Sequence, residues 1–202
     1  ALALSDRQVL LSFDELLDEA SASSLFNYDL MPNAGFFESA DLQGDGQSII
    51  LTLEDNFADG VTYDIEVTNA RDCPGNPIGV NNSLSFTFYI TQPASRYDIL
   101  INEIYADPSP SLGLPEREYI ELYNRSDKVI NLEDFAFDRG SGNPVALPFF
   151  ILLPDSYVIL QRNDVFVNFA SFGEVVMLPS FSLSNEGDTL QLMDPSGLTV
   201  DA

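Results

Sequence analysis

The sequence contains no histidine, no tryptophan and a single cysteine, Cys73. Without histidine, Ser-His-Asp and Cys-His catalysis, HExxH sites and every histidine-based metal centre are excluded. One cysteine cannot form an internal disulfide or a CxxC site. GxSxG and GxxxxGK[ST] motifs are also missing, and the nearest approach to an aspartic-protease loop, Asp188-Thr189-Leu190, lacks the glycine. We therefore predict that the chain is not an enzyme.

Basic residues are scarce as well. Lysine and arginine total 8 against 32 acidic residues, which gives a formal net charge of -24. Nucleic-acid binding needs clustered basic residues, so nucleic acids and anionic membranes are expected to be repelled. We expect the charge to keep an exposed protein soluble, with attraction of divalent cations as the alternative.

Long hydrophobic runs are missing too. No stretch reaches the roughly 18 apolar residues of a membrane span, so no membrane insertion is expected in this segment. The first residues include neither an initiating Met nor a charged leader. The chain is therefore interpreted as a segment of a larger protein.

What the sequence does contain is a series of short runs with the two-residue alternation of β-strands. Ile49, Leu51 and Leu53, for example, are predicted to face one side of their strand. Residues 13–24 are expected to hold one short helical turn, and the fold class is predicted to be all-β. The predicted strands are 8–13, 26–30, 48–53, 62–68, 83–90, 98–105, 118–124, 128–131, 136–137, 157–161, 174–177 and 189–193.

A polar stretch with a proline, residues 91–98, separates two strand-rich halves. We predict one domain over residues 1–94 and a second over residues 95–202. Domains of roughly 100 residues are long enough to bury their own cores.

The first half carries a spaced series of motifs. Val9 to Phe13 runs into an acidic segment, Ile49 to Leu53 precedes Asp59-Gly60, and Asp72-Cys73-Pro74-Gly75-Asn76 precedes the closing strand. On these motifs, residues 4–90 resemble the bacterial Ig-like domain of the SbsA type, a β-sandwich. Asp72 is expected to accept hydrogen bonds from backbone N–H groups of its own turn. Gly75 and Asn76 tolerate positive φ, so the motif is predicted to fix a corner between strands.

The second half contains an ordered series of blocks: Ile99 to Ile104 with Asn102-Glu103-Ile104, then Glu118-Tyr119-Ile120-Glu121-Leu122-Tyr123-Asn124, then Ile130-Asn131-Leu132, and later Leu183 to Leu190. This series resembles the bacterial form of the lamin-tail domain, which is also an Ig-like sandwich. The family normally continues beyond residues 197–201, so the second domain is expected to be truncated at its C-terminus.

Together the two resemblances imply two tandem immunoglobulin-like β-sandwiches in a secreted or cell-surface bacterial protein. They imply a non-catalytic structural, adhesive or interaction module at an extracellular or cell-surface location, with no cofactor. The implied partners are a protein or glycan at the cell surface and other domains of the parent chain. A Ca²⁺-assisted module that binds glycan or peptide is the alternative.

The candidate metal ligands are Asp107, Glu116 and Glu118, at the two ends of the loop 106–118. Ca²⁺ takes about six to eight oxygen ligands, and antiparallel strands would bring such carboxylates together. Like charges repel unless a cation or an arginine intervenes. Ion pairing with Arg117 or Arg125 is therefore the alternative to bound Ca²⁺, and we favour it.

A second acidic segment, Asp41 to Gly46, imitates the opening of an EF-hand loop. The twelfth position is Thr52 where the loop needs a bidentate glutamate, so the segment is interpreted as a hairpin turn.

Glu103 and Glu121 are predicted to lie on strand faces next to aromatic residues. Either is expected to be half-buried and to need backbone N–H or arginine partners. The predicted faces are Ile101-Glu103-Tyr105 and Tyr119-Glu121-Tyr123. The later aromatic residues are predicted to fill the sandwich core or pack on hairpins: Phe149, Phe150, Tyr157, Phe166, Phe169, Phe172 and Phe181.

Overall fold

The computed structural model describes residues 1–79, 82–110, 113–140, 142–163, 169–184, 187 and 189–202. The chain divides into two compact units, Ala1–Ile90 and Thr91–Ala202. Each unit is built of β-sheets around its own core, so the predicted all-β class with two tandem Ig-like sandwiches is confirmed.

The first unit contains a four-stranded sheet in the order β1-β2-β5-β4 and a three-stranded sheet in the order β3-β6-β7. A short helix, α1 (Glu19–Ala22), and a 3₁₀ helix (Leu25–Asn27) connect the two sheets. The strands are β1 (Leu2–Ala3), β2 (Gln8–Ser12), β3 (Tyr28–Met31), β4 (Phe37–Leu42), β5 (Ser48–Leu53), β6 (Val61–Val67) and β7 (Ser83–Phe88).

Alternation along β5 determines which side of its sheet is buried. Ile49, Leu51 and Leu53 are fully buried, as predicted, whereas the residues between them are partly exposed. Because a strand points successive side chains to opposite faces, this pattern directs one face of the sheet at the core. Phe57, Tyr63 and the phenylalanines of β7 fill the core from the other side.

The predicted helical turn in residues 13–24 is confirmed as α1. The Asp18 side chain caps its first turn by accepting a hydrogen bond from the Ser21 N–H at 2.9 Å. The strand expected over residues 26–30 begins only at Tyr28. Asn27 donates through its side chain to Ser21 O and through its backbone to Ser24 O, which holds the preceding residues in a 3₁₀ turn.

The second unit contains two four-stranded sheets, in the orders β15-β14-β9-β8 and β12-β11-β16-β17, and a two-stranded β10-β13 ladder. The strands are β8 (Ile99–Tyr105), β9 (Tyr119–Asn124), β10 (Ile130–Asn131), β11 (Ala136–Asp138), β12 (Val145–Ala146), β13 (Ile151–Leu152), β14 (Tyr157–Arg162), β15 (Val175–Leu178), β16 (Gln191–Met193) and β17 (Thr199–Asp201). Ile120, Leu122, Val158 and Leu160 form the centre of its core.

The boundary between the units lies after Ile90, a few residues earlier than the predicted boundary after Ala94. Ala94 is buried in the core of the second unit, and Gln92 N–H donates to Val129 O. The only lysine of the chain, Lys128, also holds this segment, because its Nζ contacts Asp98 Oδ2 at 2.6 Å and Pro93 O at 3.2 Å. Residues 91–94 therefore belong to the second unit.

Five short strands were not predicted: β1, β4, β12, β13 and β17. In β4 the sequence is FESADL and only Ala40 is buried, so the hydrophobic alternation is missing. β4 forms because its backbone pairs with β5 across a hairpin, which is a contact that composition does not reveal. Among the described parts of the chain, no helix has the length and hydrophobicity needed to cross a membrane.

Candidate functional site

The predicted corner in the first unit is built around the Asp72 carboxylate. Its Oδ1 accepts the Asn76 N–H at 2.6 Å, and its Oδ2 accepts the Asn76 side-chain amide at 2.7 Å. Gly75 has a φ of 96°, where a glycine is favoured, and its N–H donates to Asp72 O. Asn76 does not have positive φ. Its function in the corner is hydrogen-bond donation.

These hydrogen bonds determine the charge state of the corner. The Asn76 side chain, followed by backbone N–H groups, stabilises the charged carboxylate and lowers the pKa of Asp72 below its usual range. A general acid in glycoside hydrolysis needs a raised pKa, so Asp72 is unsuited to that function.

The same corner lines an open cleft of about 690 Å³ in the first unit. Apolar walls come from Phe13, Leu17, Ile78 and Leu84, and polar groups come from the corner and its neighbours. Arg71 lies at the cleft, and its guanidinium donates to Gly75 O at 2.8 Å. The cleft is therefore lined by both apolar and polar groups, and two of its charged side chains, Arg71 and Asp72, form hydrogen bonds within the corner itself.

The predicted Ca²⁺ ligands have separate positions and partners. Asp107 is exposed and accepts the Ser109 N–H at 3.3 Å, and Glu116 is exposed. Glu118 is half-buried, and its Oε2 accepts the Leu183 N–H at 2.8 Å, so it ties two loops of the second unit together. Within the described ranges, no three His, Cys, Asp or Glu side chains are grouped closely enough to hold a metal ion. Bound Ca²⁺ stays a prediction.

The EF-hand-like segment connects β4 and β5 as a hairpin turn, as interpreted from the sequence. Asp45 Oδ1 accepts the N–H groups of Gln47 and Ser48, each at 2.9 Å, and Gly46 has a φ of 70°. The Asp45 carboxylate is thus used inside its own turn.

Glu103 and Glu121 stand directly opposite each other on β8 and β9. A bulge at Asn102 shifts the register, since Ile101 pairs with Leu122 but Glu103 pairs with Glu121. The predicted shared face of Ile101 and Glu103 is therefore wrong: Ile101 packs on the core, and Glu103 lies on the outer face of the sheet.

The two glutamates accept hydrogen bonds from neutral donors, which the sequence pattern did not predict. Tyr119 Oη–H donates to Glu103 Oε1 at 2.8 Å, and the Asn102 amide donates to Glu121 Oε1 at 2.7 Å. Burial of the Tyr119 phenol, together with the neighbouring carboxylates, raises its pKa well above the usual range. Tyr119 thus remains a neutral donor at physiological pH.

The outer face of the β15-β14-β9-β8 sheet has a covered part and an uncovered part. Phe169 is buried on Tyr119 and Ile159, with ring centroids of Phe169 and Tyr119 4.6 Å apart. The Phe169 N–H donates to Gln161 Oε1 at 3.0 Å, which fixes Phe169 on the sheet.

In the uncovered part, Tyr123 and Tyr157 are direct cross-strand neighbours. Their rings stack with centroids 4.6 Å apart and planes 22° apart, and the Tyr157 side chain is 48% exposed. Tyr123 Oη–H donates to Asp155 Oδ1 at 2.9 Å. Leu100 pairs with Tyr123 from β8. We name this surface the tyrosine face, consisting of Leu100, Glu103, Glu121, Tyr123 and Tyr157.

Comparison with family models decides what the second unit is. The model described as Lamin Tail Domain matches residues 92–202, more than half of the chain. The chain belongs to the lamin tail domain family. The sheet that carries the tyrosine face is thus part of the lamin tail domain, and so are β8 and β9, whose motifs carry the resemblance found in the sequence.

The first unit matches the model described as Bacterial Ig-like domain over residues 2–88. Both resemblances are confirmed in the predicted order. Comparison with curated protein sequences gives no match.

Solved structures similar to the chain include three of the S-layer protein SbsC. The N-terminal part of that bacterial protein is 15% identical, with a TM-score of 0.42, and the match covers 80% of this chain and 42% of that one. The structure rSbsC(31-844) is 13% identical, with a TM-score of 0.42, 98% coverage of this chain and 32% of that one. SbsC domains 1-6 are 16% identical, with a TM-score of 0.41, 96% coverage of this chain and 32% of that one. The chain therefore spans less than half the length of these structures.

The aromatic residues of the lamin tail domain are distributed differently from the prediction. Phe181 lies in the core and Phe169 packs on the outer face of the sheet, but Phe149, Tyr157 and Phe172 are exposed. Phe166 lies outside the described residues. The pattern Tyr119-Glu121-Tyr123 already predicted an aromatic and acidic face. The sequence pattern did not predict that Tyr157 of β14 lies next to Tyr123 of the neighbouring strand β9.

Proposed function

We propose that this chain is a non-catalytic structural and interaction module of a larger secreted or cell-surface bacterial protein. The proposal is carried by the tandem arrangement, because the Ig-like match ends at residue 88 and the lamin tail match begins at residue 92. Both matches are to sandwich domains, which supports a structural and interaction role. The formal charge of -24 supports an exposed, soluble setting.

Hydrogen bonds between residues near the two ends of the second unit support a structural role. Tyr97 N–H donates to Val200 O at 2.8 Å, and Ile101 N–H donates to Asp201 Oδ2 at 2.7 Å. The second bond joins the edge strands β8 and β17 of the two sheets, and the first joins the residues just before β8 to β17. Tension transmitted through the chain would act directly on these two hydrogen bonds.

Single-molecule pulling on the whole chain tests the proposal. We expect two unfolding events with contour-length gains in proportion to about 90 and 112 residues, the lengths of units 1–90 and 91–202. Asp201→Ala is expected to lower the unfolding force of the longer unit and leave the other event unchanged. Asp127→Ala, which removes one exposed charge from the same unit, is the control.

A gradual extension without discrete events would contradict the proposed structural role. A screen against chromogenic glycosides, esters and phosphates tests the absence of catalysis. We expect rates equal to buffer alone, and turnover that Asp72→Asn abolishes would overturn the proposal.

Ca²⁺-assisted binding of glycan or peptide through Asp107, Glu116 and Glu118 is the rival function. A ligand raises the melting temperature only in proportion to its preference for the folded state. We expect millimolar Ca²⁺, and EDTA after it, to leave the melting temperature unchanged. A Ca²⁺-dependent rise that EDTA reverses and Asp107→Ala removes would favour the rival.

A further inference from the structure

The tyrosine face combines an exposed aromatic pair with two carboxylates for which the described residues provide no cationic partner. Glu103 and Glu121 accept their hydrogen bonds from Tyr119 and Asn102, and the described part of the chain shows no lysine or arginine paired with either. Like charges directly opposite each other on neighbouring strands are destabilising. A cation placed over this pair would relieve that repulsion.

The neighbouring rings favour the same kind of ligand. Tyr123 and Tyr157 present a stacked pair whose outer member is 48% exposed. An arginine guanidinium or lysine ammonium is attracted to the face of such a ring, and arginine also stacks on it. One face therefore offers both a ring surface and carboxylates to the same side chain.

The charge of the tyrosine face indicates which kind of ligand it binds. A second copy of the chain carries the same charge of -24, and nucleic acids or anionic glycans are repelled as well. We propose that the tyrosine face docks an arginine-rich extended segment of a partner protein. This assignment rests on the proposed function as an interaction module and names the chemistry of its partner.

The spacing of the tyrosine face fits such a segment. Glu121 and Tyr123 are two residues apart on β9, and alternate residues of an extended chain lie about 6.6–6.8 Å apart. In a peptide with arginine at every second position, one guanidinium reaches the Tyr123–Tyr157 pair while the next reaches Glu121 and Glu103.

Titration of the full chain with the blocked peptide Ac-Arg-Ser-Arg-Ser-Arg-NH2 tests the proposal. At about 0.15 M salt, where the Debye length is about 8 Å, distant surface charges contribute little. We expect amide chemical-shift changes concentrated on residues 100–103, 121–123 and 157, and tighter binding than for the lysine counterpart. Tyr157→Ser should weaken binding roughly threefold and Tyr157→Phe should restore it.

The first unit provides a matched control for charge. Asp29 and Glu66 also stand opposite each other, on β3 and β6, and the described strand residues on that face include no aromatic side chain. Glu66→Gln removes the same charge as Glu121→Gln. We expect only Glu121→Gln to weaken peptide binding, and its combination with Tyr157→Ser to weaken binding roughly tenfold.

Equal weakening by Glu66→Gln and Glu121→Gln would show attraction to net charge alone and overturn the proposal. The proposal would also be overturned if the peptide did not bind or if the amide chemical-shift changes were confined to other surfaces. A preference for a neutral oligosaccharide over the peptide would overturn it too. None of these outcomes changes the pulling traces or the activity screen, so the structural module would stand while its assigned partner failed.

Discussion

At the scale of single residues, Asn124 shows how one buried amide organises the lamin tail domain. Its side chain is fully buried at the end of β9 and donates to Lys128 O, Leu152 O and Leu153 O, while its Oδ1 accepts from Ser126. Buried polar groups are stable only when they are hydrogen-bonded, so this residue fixes two loops against the core.

Asn124→Ala is expected to destabilise the second unit by about 2–4 kcal/mol, because one buried and two partly buried carbonyls lose their donor. Chemical denaturation of the whole chain, with hydrogen exchange to identify the affected unit, measures the effect. Asn33→Ala, at an exposed amide in the first unit that accepts one N–H, is the control. Equal losses for the two variants would contradict the interpretation.

The Asp72 corner predicts a dependence of stability on pH. Because the folded pKa is lowered, the ionised carboxylate stabilises the fold above the unfolded pKa of about 3.9, and this contribution is lost as pH falls through the folded pKa. The melting temperature of Asp72→Asn should therefore lie below that of the unaltered chain at pH 7.

That difference should shrink as the pH is lowered below about 4. Calorimetry at pH 7, 5 and 3 measures it, with Glu54→Gln, at an exposed position in the same unit, as a control for the loss of one negative charge. A difference that stays constant over this range would show that ionisation of Asp72 contributes nothing.

At the scale of elements, the bulge at Asn102 determines the chemistry of the outer face. The alternation in Ile101-Glu103-Tyr105 predicts one shared face, and one extra residue in β8 is enough to separate Ile101 from Glu103. A bulge depends on the register of two paired strands, and no single run of sequence contains that register. This is why the position of Glu103 could not be predicted although its strand was.

Relief of the Glu103–Glu121 repulsion predicts a stabilising substitution. Glu121→Gln should stabilise the second unit by about 0.5 kcal/mol, since one of two opposed charges is removed. Urea denaturation at low and high salt measures it, and the gain should diminish at high salt. Destabilisation at both salt concentrations would show that Glu121 serves the fold through its charge.

At the scale of the whole molecule, two separate cores predict separate responses to core substitutions. Leu51 lies in the first core and Leu122 in the second, and both are fully buried. Replacing either leucine with alanine should lower the free energy of unfolding of its own unit by about 3 kcal/mol. Amide hydrogen exchange resolved along the chain is expected to increase only in the altered unit, and an increase in both would contradict independent folding.

The sequence by itself determined the two modules, their order and the positions of most long strands, because hydrophobic alternation and corner motifs are local properties of the chain. Tertiary structure alone decided the short paired strands, the boundary after Ile90, the Glu118 contact with Leu183 and the meeting of Tyr123 with Tyr157. Each of these depends on which distant backbone segments pair and in what register, and that pairing is settled by burial of the whole core.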